Sequence, residues 1–465
     1  MAIVSADSVA GTLTMSNATL LRSGLSALFS LSLLLSVRAE DGPALTPMGA
    51  ERGGNADGSI PAWAGDNQQP ANTSEPAQFV SRANAAAYAA VLSPGQLALL
   101  EAMPDSYRMP IYPARRGYSP PASFLADTAA NAGHARLADD GRISGLGPGL
   151  PFPDLGDSSS PGLSTNATAG LAAIWNHRLR WRGVGRERRY LQVAASSEGV
   201  LTPLSVREDS RFLRGTDLSK GKNPPSPLLL QQLFGITAPA RLDGTVKLLH
   251  ERLDGSLRAW QRSPAPGVSF VDFNETSEVG GDSSLIGSDG LCSEDQREGY
   301  TGDPNRWRWT LIGKRELLVP YHAERFLVRG QPLAALLGPR HPDPALLRYE
   351  RHRVWQLEAR LKPDIAGVWL RRTYYLDEDS WQVLLVEHYS RDDRLQRVQE
   401  VHTRIVGDML LPAVEVIYDL PGRRYFVSGL EAEANATVLR AQDPAGFEPG
   451  NARRWSKQVG AVPAK

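Results

Sequence analysis

Residues 175–190 carry six arginines, Arg178, Arg180, Arg182, Arg186, Arg188 and Arg189, with Trp175 and Trp181 among them. A guanidinium binds carboxylate or phosphate bidentately. The plainer reading of this run is a solvated strand face. The functional reading is a rim that holds the anionic head of a ligand, with Arg178 and Arg180 as its first candidates. The opposite feature is Phe273 to Asp303, with eight acids against Arg297 alone. It reads as a solvated loop and, functionally, as a gate over a cavity. Trp175, Trp181, Trp260, Trp307, Trp309, Trp355, Trp369 and Trp381 all fall after residue 171. Each alone reads as ordinary packing, but their density is what a lipid-sized cavity needs.

Signatures of covalent or metal chemistry do not accompany these groups. There is no His-Glu-x-x-His, Gly-x-Ser-x-Gly or Walker loop. Ser219-Lys-Gly-Lys222 stands without its companion motifs. Asn55, Asp57, Gly58 and Ile60 fit part of a calcium loop, but Gly53 and Ala64 occupy its first and last ligand positions, so a turn is expected. His177 reads as a residue that fixes a strand end through its ring nitrogens. A single cysteine, Cys292, excludes an intrachain disulfide and a Cys-rich metal site. With 51 basic and 51 acidic residues, nucleic acid is not an expected partner. No enzyme, metal or cofactor is predicted.

The elements that would position these residues come from periodicity. The apolar run from Leu25 to Val37, flanked by Arg22, has signal-peptide length and ends at Val37-Arg38-Ala39. Translation starts at Met1 or Met15. Residues 1–39 are thus a signal peptide. Residues 40–170 form an N-terminal arm with short helices and loops, extended at 40–78 and helical in two pieces over 79–103. Ser158 to Gly170 reads as a loop. From about Leu171 the period is two. Strands are expected at Arg188–Ala194, Thr245–Leu253, Trp307–Pro320, Tyr349–Leu361, Val368–Leu376, Trp381–Tyr389, Leu395–Ile405, Ala413–Leu420 and Arg424–Gly429. Polar connections such as Asp377–Ser380 join them. Residues 171–440 form a curved antiparallel β domain, and 441–465 a tail. In Tyr349–Leu361, Trp355 and Leu357 lie on the apolar side, and Gln356 and Glu358 on the wet side.

Several long motifs match one family. They are Leu45 to Trp63, Tyr107 to Pro113, Gly149-Leu-Pro-Phe-Pro153, Ile174-Trp-Asn-His177, Arg258-Ala-Trp260, Arg306 to Glu316, Arg348 to Trp355 and Tyr375 to Trp381. Together they resemble the bacterial domain-of-unknown-function 1329 family of exported proteins over about residues 45–450. The resemblance implies a fold similar to the carrier and receptor of the Lol lipoprotein-sorting system. That is an α+β architecture, an incomplete antiparallel barrel closed by helices. It implies the periplasm or the outer-membrane surface as location. It also implies a resistance-nodulation-division-type permease and an outer-membrane protein as partners. The stretch Gln261–Gly302 departs from the family pattern.

The expected function is a non-enzymatic carrier of a lipid or other hydrophobic molecule. Its ligand-binding candidates are Trp175, Arg178, Arg180, Trp181, Trp260, Trp309, Trp355, Leu357 and Trp381. The alternative is an adaptor subunit whose concave face is filled by its own helices. An open apolar pocket supports the carrier and a plugged one the adaptor. N-terminal sequencing of the exported protein should give Glu40 as its first residue; retention of residues 1–39 would mean a membrane anchor.

Overall fold

The computed structural model describes residues 44–68, 70, 75–138, 141–155, 165–213, 227–262, 271–273, 284–326, 330–431, 436–451 and 455. The apolar run with its cleavage site, Ser219–Lys222, residues 156–164 and the acids Glu275, Glu278 and Asp282 lie outside the described residues.

The arm contributes β1 (Gln78–Val80), β2 (Met109–Ile111), and the pair β3 (Arg136–Leu137) and β4 (Ile143–Ser144). Its helices are α1 (Pro94–Ala102) and α2 (Ala122–Asn131); α3 (Asn166–Leu179) follows. A first run of strands is β5 (Gly185–Ala195), β6 (Leu201–Phe212), β7 (Leu228–Ala238), β8 (Val246–Arg252), β9 (Leu257–Arg262) and β10 (Val271–Phe273). The second is β11 (Trp307–Pro320), β12 (Tyr349–Leu361), β13 (Arg371–Asp377), β14 (Val383–Tyr389), β15 (Leu395–Val406), β16 (Met409–Asp419), β17 (Arg424–Leu430) and β18 (Thr437–Leu439).

Sixteen strands form one sheet. Its path is β1–β2–β12–β13–β14–β15–β16–β17–β5–β6–β7–β8–β9–β10, with β11 also paired to β12 and β18 to β5. The β12–β2 contact is parallel; the other pairs are antiparallel. The fold is therefore α+β, a large curved sheet that is not closed into a barrel. The sequential hairpins β12–β13–β14 run as the alternation predicts. Leu357 and Ala359 are buried in β12, and Gln356 and Glu358 only partly so.

One row of residues crosses seven strands on a single face: Leu357, Tyr374, Val386, Gln399, Ile417, Phe426 and Ala194 are successive register partners. Over its first half lies α3. Over its second half lies the strap, residues 284–303. The opposite face of β14–β17 packs on α1 and the turns around residues 321–347, through Val398, Val416, Tyr418, Leu99 and Tyr107. With both faces covered, every residue of β14 is buried, where alternation alone predicts one wet side.

Four expectations require correction. Asn166 to Leu179 is helical, where a loop as far as Gly170 and a strand period from about Leu171 are expected. Thr165 caps it, accepting from the Thr168 N–H at 3.2 Å in a capping box. Because α3 is buried nearly all round, it shows no amphipathic period to read. Its small residues allow close approach to the sheet: a Cβ on Gly170 would lie 2.8 Å from backbone atoms of Thr310 and Leu311. Second, Asp377–Ser380 is no solvated connection; Glu378 and Asp379 are 2% and 4% exposed. Third, β6, β7 and β9 were not foreseen. In β6 the inward positions include Glu208 and Ser210, so polarity hides the alternation. Fourth, the stretch expected at 40–78 is not simply an extended arm. Arg116 holds it down, donating to the carbonyls of Glu51, Gly53 and Pro61 and, bidentately, to Asp379. The partial calcium motif is indeed a turn, with Asn55 accepting from the Ile60 N–H and Asp57 from Ser59. Among the described residues no helix is long and apolar enough to cross a membrane.

The Gly170 contact yields a test. Gly170→Ala should push α3 off β11 and cost about 1–3 kcal/mol, read as a lowered urea midpoint. Gly53→Ala, whose Cβ would meet nothing within 4 Å, should leave the midpoint unchanged.

Candidate functional site

The arginine run starts on the last turn of α3 and continues through a short link into β5. Arg178, Arg180, Arg182, Arg186 and Arg188 are each at most 5% exposed, so the solvated strand face is ruled out for them. Their anions come from the chain itself. Glu298 Oε2 accepts from Arg180 at 2.6 Å and from Arg182 at 3.4 Å, and its Oε1 accepts from Arg186 at 2.7 Å. Arg186 also reaches Glu208 at 2.8 Å. Arg178 pairs with Glu251, and Arg188 with Glu431. The described part of the acidic segment is thus not a solvated loop. Glu294, Asp295 and Glu298 are buried, and the segment lies on the sheet as a strap.

Further bonds hold the strap. Asp295 takes Arg372 at 2.8 Å, and Glu294 takes Lys247. Gln399 donates to the Gln296 carbonyl at 2.7 Å, and Gln382 to the Glu298 carbonyl at 2.9 Å. His177 joins α3 to the strap and to β14. It accepts the Val383 N–H at Nδ1, 3.2 Å, and faces the Tyr300 carbonyl with Nε2 at 3.0 Å. Burial, then Arg180, keeps its pKa well below the usual histidine range, so it is neutral. The expected positional role of His177 is met, from a helix end rather than a strand end.

Two carboxyls, Glu298 of the strap and Glu415 beneath it, are pushed in opposite directions. Burial would raise Glu298, but Arg186, Arg180 and Arg182 hold it well below the usual range. Glu415 accepts the backbone N–H groups of Glu298 and Gly299 at 2.9 and 3.4 Å. Burial pushes its pKa up to about 7, and the charge of Glu298 adds to this. A chemical consequence is that the strap rests on a carboxyl that titrates near neutrality.

The sequence-predicted residues separate into two places. Trp175, Trp181, Trp309, Leu357 and Trp381 share one core cluster, with Trp355 packed against it. Trp381 stacks on Trp355 at 6.2 Å and donates to the Met48 carbonyl at 2.9 Å. Trp175 donates to the Gly141 carbonyl, Trp181 to Asp408 and Trp309 to the Pro304 carbonyl. Trp260 lies elsewhere, against His250 at 4.8 Å and in a cluster with Phe447 and Trp455. None of the nine candidates lines the cavities at the strap. One, of about 30 Å³, lies between Arg186, Arg188, Glu208, Cys292, Arg297 and Glu415. Another, of about 40 Å³, has Leu204, Val206, Phe234 and Ile236 below and Leu285 and Ile286 above. Each has room for a few waters, far below the ~300 Å³ at which ligand pockets begin. The residues that sequence reasoning missed are therefore Glu298, Glu415 and the apolar floor of β6 and β7. The acid and arginine runs were the available signal for Glu298.

A sheet with one face filled half by a helix and half by a charge-bound strap is the class of structure found. The family model for a protein of unknown function, DUF1329, matches residues 79–456, and the chain belongs to this family. It is 33% identical over 446 residues to the uncharacterized protein PA3922 of Pseudomonas aeruginosa, across 89% of this chain and 93% of that one. Solved structures similar to it include a DUF1329 family protein from Desulfovibrio piger (14% identity, 61% of this chain and 98% of that one, TM-score 0.42). Another is a putative outer membrane lipoprotein-sorting protein domain from Vibrio parahaemolyticus (14%, 62% and 100%, TM-score 0.43). A third is a LolA superfamily protein from Nitrosomonas europaea (12%, 60% and 97%, TM-score 0.36).

The raised Glu415 pKa sets a pH dependence. The folded carboxyl keeps its proton up to about pH 7, whereas in the unfolded chain it ionises near the ordinary value. Between those two points the unfolded state sheds protons first, so this group's contribution to stability falls as pH rises. Glu415→Gln removes the fall. Its melting temperature relative to wild type should be higher at about pH 8 than at about pH 5; equal differences at both would refute the assignment.

Proposed function

We propose that the chain is a non-enzymatic binding protein for a hydrophobic molecule, which it takes up beneath the strap. The observation that carries this reading is the contrast between the two coverings of one sheet face. The half under α3 is closed by apolar and aromatic packing. The half under residues 284–303 is fastened chiefly by ion pairs and hydrogen bonds, over a floor that includes Leu204, Val206, Ile236, Ile417 and Phe426. Buried ion pairs gain little over their hydrated state, so such a fastening releases more readily than a dry core. Apolar acyl or polycyclic surface laid on that floor leaves water at ~25 cal/mol/Å². Once Glu298 withdraws, Arg180 and Arg182 lose their carboxylate partner and can take an anionic head, while Arg186 stays on Glu208. The mode is binding without chemistry, in the periplasm or on the outer-membrane surface. A resistance-nodulation-division-type permease and an outer-membrane protein are the partners for handover, as the family resemblance implies. A second reading, an adaptor with no ligand, is favoured by the filling of the α3 half, where Trp175, Trp309, Leu357 and Trp381 pack with the helix in one core cluster.

Cys292 reports on the strap. It is 4% exposed and packs against Ala194, Ile417 and Phe426. We expect saturable binding of a fluorescent fatty acid such as cis-parinaric acid, with several-fold faster maleimide labelling of Cys292 as it binds. Glu298→Gln, checked for folding by circular dichroism, should label faster without ligand. If no fatty-acid or sterol probe binds and labelling does not respond, the adaptor reading stands instead.

A further inference from the structure

The second buried polar group of the molecule lies where β12, the end of β13 and the following turn meet the N-terminal arm. Its members are His352, Asp377 and Asp379, all buried, each offering one ligand atom within 4.8 Å of the others. His352 Nε2 lies 3.5 Å from Glu350 Oε2, which orients the ring with its Nδ1 toward Asp377. Nδ1 and Asp377 Oδ1 are 3.9 Å apart. That is too far for a hydrogen bond, and Asp377 Oδ1 has no hydrogen-bond partner. The other oxygen of Asp377 is fixed by Ser380 at 2.5 Å and by Tyr321 at 3.2 Å. The Tyr321 ring stacks on His352 at 4.2 Å. Asp379 is held in place by the Arg116 fork.

Asp377 Oδ1, buried and without a partner, faces the ring nitrogen across this gap, and a positive charge between them, a proton on the imidazole or a bound cation, would satisfy it. Ligand atoms about 2 Å from a tetrahedral ion stand roughly 3.3 Å apart, so the 3.9 Å gap need close by only about half an ångström to take one. A carboxylate behind the imidazole, donors behind each aspartate and one open lone pair per residue are the outer-shell pattern of a metal site. We propose that His352, Asp377 and Asp379 bind one divalent first-row cation, Zn²⁺ or a relative. One nitrogen and two carboxylate ligands suit such an ion better than Ca²⁺, which takes an all-oxygen shell. The longest separation, up to 4.8 Å, closes by about 1.5 Å on binding to reach the roughly 3.3 Å spacing of adjacent ligands on a tetrahedral ion. The ion would clasp the hairpin turn to the arm through Asp379 and Arg116. This site is independent of the strap and of any ligand beneath it.

The test uses the mature full chain, stripped with chelator and dialysed. Titration with Zn²⁺ should show one equivalent bound and a raised melting temperature. Co²⁺ should give a visible d–d absorption band that Zn²⁺ displaces. His352→Gln and Asp377→Asn should each weaken binding by at least about tenfold, while Glu358→Gln on the wet side of β12 should not. If either variant fails to fold, ¹⁵N-histidine NMR of the wild type decides. A His352 resonance that moves on adding Zn²⁺ supports the site. An imidazolium signal unchanged by Zn²⁺ overturns it, as does the absence of a bound equivalent or binding undiminished in both variants.

Discussion

Glu298 is the carboxylate on which one whole face of the sheet depends. Its backbone sits in the left-handed region at φ 54°, where the strap dips to bring the side chain among Arg180, Arg182 and Arg186. Those three guanidiniums come from the α3–β5 link and from β5, so a single anion ties the helix, the sheet and the strap together. Arg182 and Arg186 also lie over the Phe212 ring, at 4.8 and 5.2 Å, which places their charges next to apolar surface. Without Glu298 the cluster is an accumulation of buried cations, and an unpaired buried charge is among the costliest arrangements a fold can contain.

The same logic recurs on the other face. Glu400 is buried among the hydroxyls of Tyr107, Tyr349 and Tyr418, at 3.5, 2.9 and 3.4 Å. Glu387 accepts the Gly95 N–H at the start of α1, 2.6 Å away. In each case a strand that would otherwise show a wet side carries a polar residue inward, and a helix or turn from the arm covers it. The sheet is therefore filled on both sides by elements docked through specific polar contacts as well as by apolar area.

How far the sequence foretold this depends on the range of each signal. β11 and β12 match the predicted spans Trp307–Pro320 and Tyr349–Leu361, because alternation is a local property. The density of tryptophan was read correctly as belonging largely to one region, although Trp260 sits apart. The arginine run and the acidic run were both visible. Their pairing was not, since residues 180 and 298 meet only through the strand order. Asp377–Ser380 has the composition of a surface turn. It is buried because Arg116, Lys314 and Tyr321, all distant in sequence, each bond one of its carboxylates. α3 was missed for the opposite reason, since a helix buried on all sides has no polar face to reveal its period.

The clasp of the arm has a kinetic consequence. Met48 accepts a hydrogen bond from Trp381, 333 residues later, and Arg116 reaches Asp379 across 263 residues. A chain made from its N-terminus cannot form either contact until more than four-fifths of it has been synthesised. Until then the arm is held only by earlier contacts, such as those of Arg116 with the carbonyls of Glu51, Gly53 and Pro61. Contacts of such sequence separation make folding slow. They also leave an interval during synthesis in which the arm, although joined to Arg116, is not yet clasped to the β13–β14 turn.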